Sequence, residues 1–81
     1  METRVAVIGI VVKDRDSTGR LNALLHEYGT YIIGRMGIPY KERGINIVSI
    51  AIDAPGDVIS ALTGKIGKLP GITVKTAYAP M

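Results

Sequence analysis

The sequence predicts an α+β sandwich in the order β-α-β-β-α-β, with two helices on one face of a four-stranded antiparallel sheet. Three observations carry that prediction. Apolar runs at residues 3–13, 31–38, 45–53 and 72–79 are short and rich in Val and Ile, which favours strands over helices. Two other stretches repeat large aliphatic residues at three- and four-residue intervals, the period of a helix with one buried face. The two kinds of segment alternate so that each half of the chain repeats the pattern of the other, the split βαβ arrangement.

TRVAVIGIVVK, residues 3–13, is the first strand. Asp16 or Ser17 can accept from the free amides of a helix start, and Leu21, Leu24, Leu25 and Tyr28 then mark one helical face over about 17–28, with Gly29 to close it. Residues 31–38 and 45–53 are strands joined by PYKERG, whose proline, charges and glycine suit an exposed turn. DAPGD starts the second helix with Pro55 near its first position, and Val58, Ile59, Leu62 and Ile66 form its apolar stripe over about 55–67. KLPG stops that helix, and ITVKTAYA, residues 72–79, is the last strand. Right-handed crossovers place the strands in the order 4-1-3-2, the ferredoxin-like sandwich.

Two helices cover one face of such a sheet, and the other should alternate with polar residues if it meets water. It does not. In the first strand Val5, Val7, Gly9 and Val11 share one parity and Ala6, Ile8, Ile10 and Val12 the other, so both faces are apolar. In the third strand Ile45 and Ile47 oppose Val48, Ile50 and Ile52, with Asn46, Ser49 and Asp53 as polar exceptions. Covering several hundred Å² at about 25 cal/mol per Å² contributes several kcal/mol, comparable with the net stability of a small domain. The expectation is self-association, as a homodimer or homotetramer.

Composition removes several classes of function. The 81 residues contain no cysteine and one histidine, His26, so disulfides, thiolate metal sites and cysteine nucleophiles are not expected, and neither a metal nor a cofactor is. Ser17, Ser49 and Ser60 have no histidine base at a useful spacing, and no GxxxxGK[ST] phosphate loop occurs, so an enzyme is not expected. The net charge of +3 comes from cations scattered between Arg4 and Lys75, without a basic stripe or stacking aromatics, so direct nucleic-acid binding is not expected. No apolar run approaches a membrane span, and no cleavable leader is evident, so the expected location is the cytoplasm.

Two places attract attention as ligand sites. In the second strand, Gly34 and Gly37 flank Arg35 and Met36 at a sheet edge, where glycine permits a bulge or close backbone approach and Pro39 is expected to end pairing. Simple alternation groups Arg35 with Tyr31 and Ile33, and Ile32 with Met36 and Ile38, unless a bulge shifts the phase. A guanidinium there can fork onto a carboxylate or phosphate. The loop KDRDS sets Asp14, Arg15, Asp16 and Ser17 beside helix-start amides, which can receive an anion.

From RVAVIGIVVKDR through LLHEYGTYIIGRMGIPYKERGINIVSIAIDAP to ALTGKIGKLPGITVKTAYA, the whole chain resembles the regulator family of the iron-only hydrogenase system. HEYG, GRMGIPY, ERG and LTGKIGKLPG are the specific parts of the likeness. Members are short stand-alone proteins of ACT-like fold, similar to the C-terminal sensor domain of the nickel-responsive repressor. The resemblance implies a single ACT-like regulatory domain over residues 1–81, with a role in regulating iron-only hydrogenase. Relatives in the ACT class pair edge to edge or face to face and hold effectors, often amino acids, at subunit interfaces near the loop after the first strand. On that likeness Asp14, Arg15, Asp16 and Ser17 are expected near a pocket, with Arg35 and Met36 as neighbours. The nickel sensor uses several histidines and a cysteine, a pattern missing here, so nickel sensing is not expected. No ribbon-helix-helix segment occurs in these residues, and any effect on transcription is expected to need a protein partner. The alternatives on the same fold are an acylphosphatase-like enzyme, with Asn22 or Asn46 beside an arginine, or a purely structural adaptor.

Overall fold

The computed structural model describes residues 2–80. Its elements are β1 (Arg4–Val12), α1 (Thr18–Glu27), β2 (Ile32–Tyr40), β3 (Ile45–Ala54), α2 (Gly56–Gly67) and β4 (Ile72–Tyr78). The sheet order is β2-β3-β1-β4 with each neighbouring pair antiparallel, which is the expected 4-1-3-2 read from the other edge.

The alternation of β1 decides where the core lies. Ala6, Ile8, Ile10 and Val12 point to the helices, where they meet Ile50, Ile52 and Ala54 of β3, Leu21 and Leu25 of α1, and Ile59, Leu62 and Ile66 of α2. All of them are buried. Each large aliphatic chain so placed contributes about 1.5–3 kcal/mol relative to exposure. At one end Arg4 lays its guanidinium over the Tyr78 ring, 3.8 Å from its centre, and closes the layer between sheet and helices. Among the described residues no helix is long and apolar enough to cross a membrane.

Local chemistry departs from expectation at several boundaries. Ser17 takes the N-cap position of α1, but its side chain accepts no hydrogen bond from the helix-start amides, and neither does that of Asp16. Instead the Asp14 carboxylate accepts from the Asp16 amide at 2.9 Å and opens a 3₁₀ turn, Arg15–Ser17, that leads into the helix. Ser17 is buried, and its hydroxyl donates to the Pro70 carbonyl at 2.6 Å, tying the loop before α1 to the loop before β4. The Lys13 amide adds a second tie, to the Gly71 carbonyl at 2.7 Å. Gly71 has φ 68, and a Cβ there would lie 2.6 Å from Asp14 Cβ, so its glycine satisfies both a left-handed turn and a close approach. Pro55 stands just ahead of α2 as its N-cap.

Pro39 does not end pairing. The strand continues to Tyr40, with Pro39 opposite Asn46 and Tyr40 opposite Ile45. β2 is an outer strand, and an outer strand tolerates a residue without a donor. The 3₁₀ turn Lys41–Arg43 and Gly44, at φ 65, then reverse the chain into β3.

Candidate functional site

The sheet face away from the helices carries a set of exposed apolar side chains. Residues paired across a ladder share a face, so this face carries Val5, Val7, Gly9 and Val11 of β1 and Ile45, Ile47, Ser49, Ala51 and Asp53 of β3. β2 adds Gly34, Met36, Ile38 and Tyr40, and β4 adds Thr73, Lys75 and Ala77. Val5, Val7, Met36, Ile38, Tyr40 and Ile47 are all exposed, with Met36 at 57% and Val7 at 49%. Asp53 and Lys75 are the two charged strand residues on this face among those described.

A bulge in β2 sets what reaches each side. Ile32 stands opposite Ile52 and Gly34 opposite Ala51, leaving Ile33 as an extra residue that bulges to 64% exposure. The phase of the strand inverts there. Arg35, grouped by simple alternation with Tyr31 and Ile33, comes to the helix side opposite Ile50, and its guanidinium donates to Asn22 Oδ1 of α1 at 3.0 Å. Ile32 leaves Met36 and Ile38 and joins the core side. Gly34 and Gly37 both have open space where a Cβ would stand, so the chain by itself imposes no steric need for glycine at either position.

The residues chosen from the sequence are distributed over several places. Asp14, Asp16 and Ser17 form the capped turn and its tie to Pro70. Gly34 and Met36 lie on the open face, and Gly37 lines a small cleft of about 250 Å³ with Asn22, Thr18 and Asn46. Arg15 lines a different cleft, of about 430 Å³, at the end of the sheet, together with Lys13, Lys41 and Asn46, and with Val12 and Pro39 as apolar wall. No carboxylate lies within 4 Å of these three cations among the described residues. The acids nearest in sequence, Asp14, Asp16 and Glu42, stay outside the lining.

Lys13 and Lys41 escaped the sequence reading because they are far apart in the chain. The ladder pairing Val12 with Asn46 carries the end of β1 to the β2–β3 turn and so brings them together. The predicted strand order held that signal.

On the helical side a groove of about 400 Å³ runs between α1 and α2, past Arg20, Leu24 and Leu69. At its rim Lys65 donates to the Tyr28 hydroxyl at 2.9 Å and to Glu27 at 3.5 Å. The Tyr28 hydrogen bond and then the Glu27 charge raise the Lys65 pKa. His26 stands exposed in the last turn of α1.

No curated protein matches this chain. Solved structures do. The uncharacterized protein TM1266 of Thermotoga maritima superposes with a TM-score of 0.92 at 36% identity, over 98% of this chain and 100% of that one. A formyltetrahydrofolate deformylase of Pseudomonas putida KT2440 gives 0.66 at 13% identity, over 94% of this chain but 29% of that one. An unknown protein of Galdieria sulphuraria gives 0.67 at 17% identity, over 99% of this chain and 47% of that one. At such identities the last two speak for the fold alone. The family model for TM1266-like proteins, described as "Iron-only hydrogenase system regulator, putative", matches residues 4–76, and the chain belongs to that family.

Proposed function

We propose that this protein is a regulatory module of the iron-only hydrogenase system that works as a homo-oligomer and takes a small anionic effector at the end of its sheet. The family supports the regulatory part. The observation that carries the oligomeric part is the open sheet face, whose exposed Val5, Val7, Met36, Ile38, Tyr40 and Ile47 have no cover within the subunit. Water is a poor neighbour for so many aliphatic groups, and a second copy supplies a matching apolar surface without any further component.

The effector part rests on the cleft holding Lys13, Arg15 and Lys41. Three cations line it together with Asn46, beside the apolar wall of Val12 and Pro39, and none of them has a carboxylate within 4 Å among the described residues. Its volume falls in the range of small-molecule sites. An effector with a phosphate or carboxylate head and an apolar body matches that lining. Gly71 and Ser17 fix the loop that carries Lys13 and Arg15, so the cations sit on a braced frame.

Sedimentation velocity at micromolar concentration tests the first part, with a dimer or tetramer expected and a persistent monomer against it. Calorimetric titration with amino acids and nucleotides tests the second. Binding by wild type that falls tenfold or more in Arg15→Ala/Lys41→Ala is the expected result. Binding left unchanged by that pair of substitutions would move the effector elsewhere. One observation favours an acyl-phosphate hydrolase as a second reading, the contact of Arg35 with Asn22. Its test is hydrolysis of acetyl phosphate by wild type and its loss in Arg35→Ala.

A further inference from the structure

We infer that two copies stack their open faces about a two-fold axis running over Val7 and Met36, with Asp53 of each copy against Lys75 of the other. This rests on the reading of the open face as the self-associating surface and adds its register.

The ladder supplies the geometry. Asp53 lies opposite Val5 on β3, and Lys75 lies opposite Gly9 on β4. They flank β1 on its two sides and are opposite in sign, and the midpoint between them falls on Val7. From strand and ladder spacings they are about 13 Å apart along the strands and about 10 Å apart across them. Two stacked sheets are related by a two-fold axis lying between them. If that axis passes over Val7 at right angles to the line joining the charges, each lysine falls on the other copy's aspartate, and both pairs form at once. A two-fold axis placed elsewhere between the sheets does not bring both pairs together, and an ion left unpaired inside such an interface is costly.

The same axis has a second property that was not imposed on it. Followed from Val7 towards β2, it crosses β3 between Ala51 and Ser49 and reaches Met36, the residue opposite Ser49. Small side chains thus lie under the axis between its two ends, and Met36, which is 57% exposed, meets its own mate. Ile38 lies within about 5 Å of the axis on the same spacings, so it too falls inside the overlap. The strands of the two copies cross steeply, in the orthogonal class of sheet packing.

Charge reversal and crosslinking test the register. By sedimentation equilibrium, Asp53→Lys and Lys75→Asp should each weaken the dimer tenfold or more, and the double reversal should return it to within about threefold of wild type. The chain has no cysteine, so Met36→Cys gives a single thiol, and its dimer should be captured by a short bis-maleimide. Thr73→Cys, on the same face but off the axis, should not be. A wild-type dimer that ignores both reversals, or that crosslinks through Thr73→Cys and not through Met36→Cys, overturns the register while leaving face-to-face or edge pairing of copies in place. A wild-type monomer overturns the register together with the reading beneath it. Far-ultraviolet circular dichroism and thermal melting of each variant separate lost association from lost folding.

Discussion

Ser17 holds together two loops that are 53 residues apart in the chain. Its hydroxyl is buried and has one partner, so Ser17→Ala leaves the Pro70 carbonyl without its donor and is expected to cost about 1–2 kcal/mol in urea unfolding. Gly71 is the stricter site. A side chain there meets both a left-handed backbone and the backbone nitrogen of Asp14 at 2.9 Å, neither of which a rotamer change relieves. Gly71→Ala should therefore cost more than Ser17→Ala, about 2 kcal/mol or above, in the same measurement. Lys65 is a surface case with a pH signature. Its pKa is raised by Tyr28 and Glu27, so the folded state holds the proton more tightly than the unfolded chain does. That contribution is present in full below about pH 10.4 and is lost as pH rises through the raised value. Lys65→Met should lower the melting temperature slightly at neutral pH, and the gap from wild type should close in strongly alkaline buffer. The sequence reveals that a polar residue begins α1, but not which one caps it. Asp14 caps the 3₁₀ turn ahead of α1 because its carboxylate reaches the Asp16 amide, while Ser17, at the N-cap position of α1, turns its hydroxyl to Pro70 in a fold that local pattern does not contain.

The strands and helices were readable because their apolar periods of two and near four are set by which face is buried, a constraint strong enough to survive in a single sequence. β2 was readable as a strand but not in its phase. One extra residue at Ile33 inverts everything after it, and glycine nearby signals that a bulge is permitted without saying where it falls. The consequence is concrete. Arg35 pairs with Asn22 on the helix side instead of sharing a face with Tyr31 and Ile33. Gly37 offers a clean test of whether this strand keeps glycine for its own sake. Its φ is not positive and a Cβ would meet nothing within 4 Å, so Gly37→Ala should stabilise the subunit by about 0.4–1 kcal/mol in urea unfolding. Loss of stability instead would mean that the cleft beside Asn22 is smaller in solution than in this structure.

At the scale of the molecule the decisive residue is Val7, at the centre of the open face and 49% exposed. Val7→Lys should barely affect the folding of one subunit, because that side chain lies outside the core. In a stacked pair it would set two cations against each other near the axis, and sedimentation is expected to show monomers. The apolar surplus was visible in the sequence from the parity of β1 alone. The cation cleft was not, since Lys13 and Lys41 become neighbours through the pairing of Val12 with Asn46 rather than through any local motif. The sheet order also bears on how the chain is born. β1 is made before β3 and β4 yet ends between them, so one of its edges waits for residues 72–78 of β4. Until then a nascent chain presents a bare, sticky ribbon of backbone and aliphatic groups. Crowded polysomes are therefore the setting in which this small sheet is most exposed to pairing with the wrong neighbour.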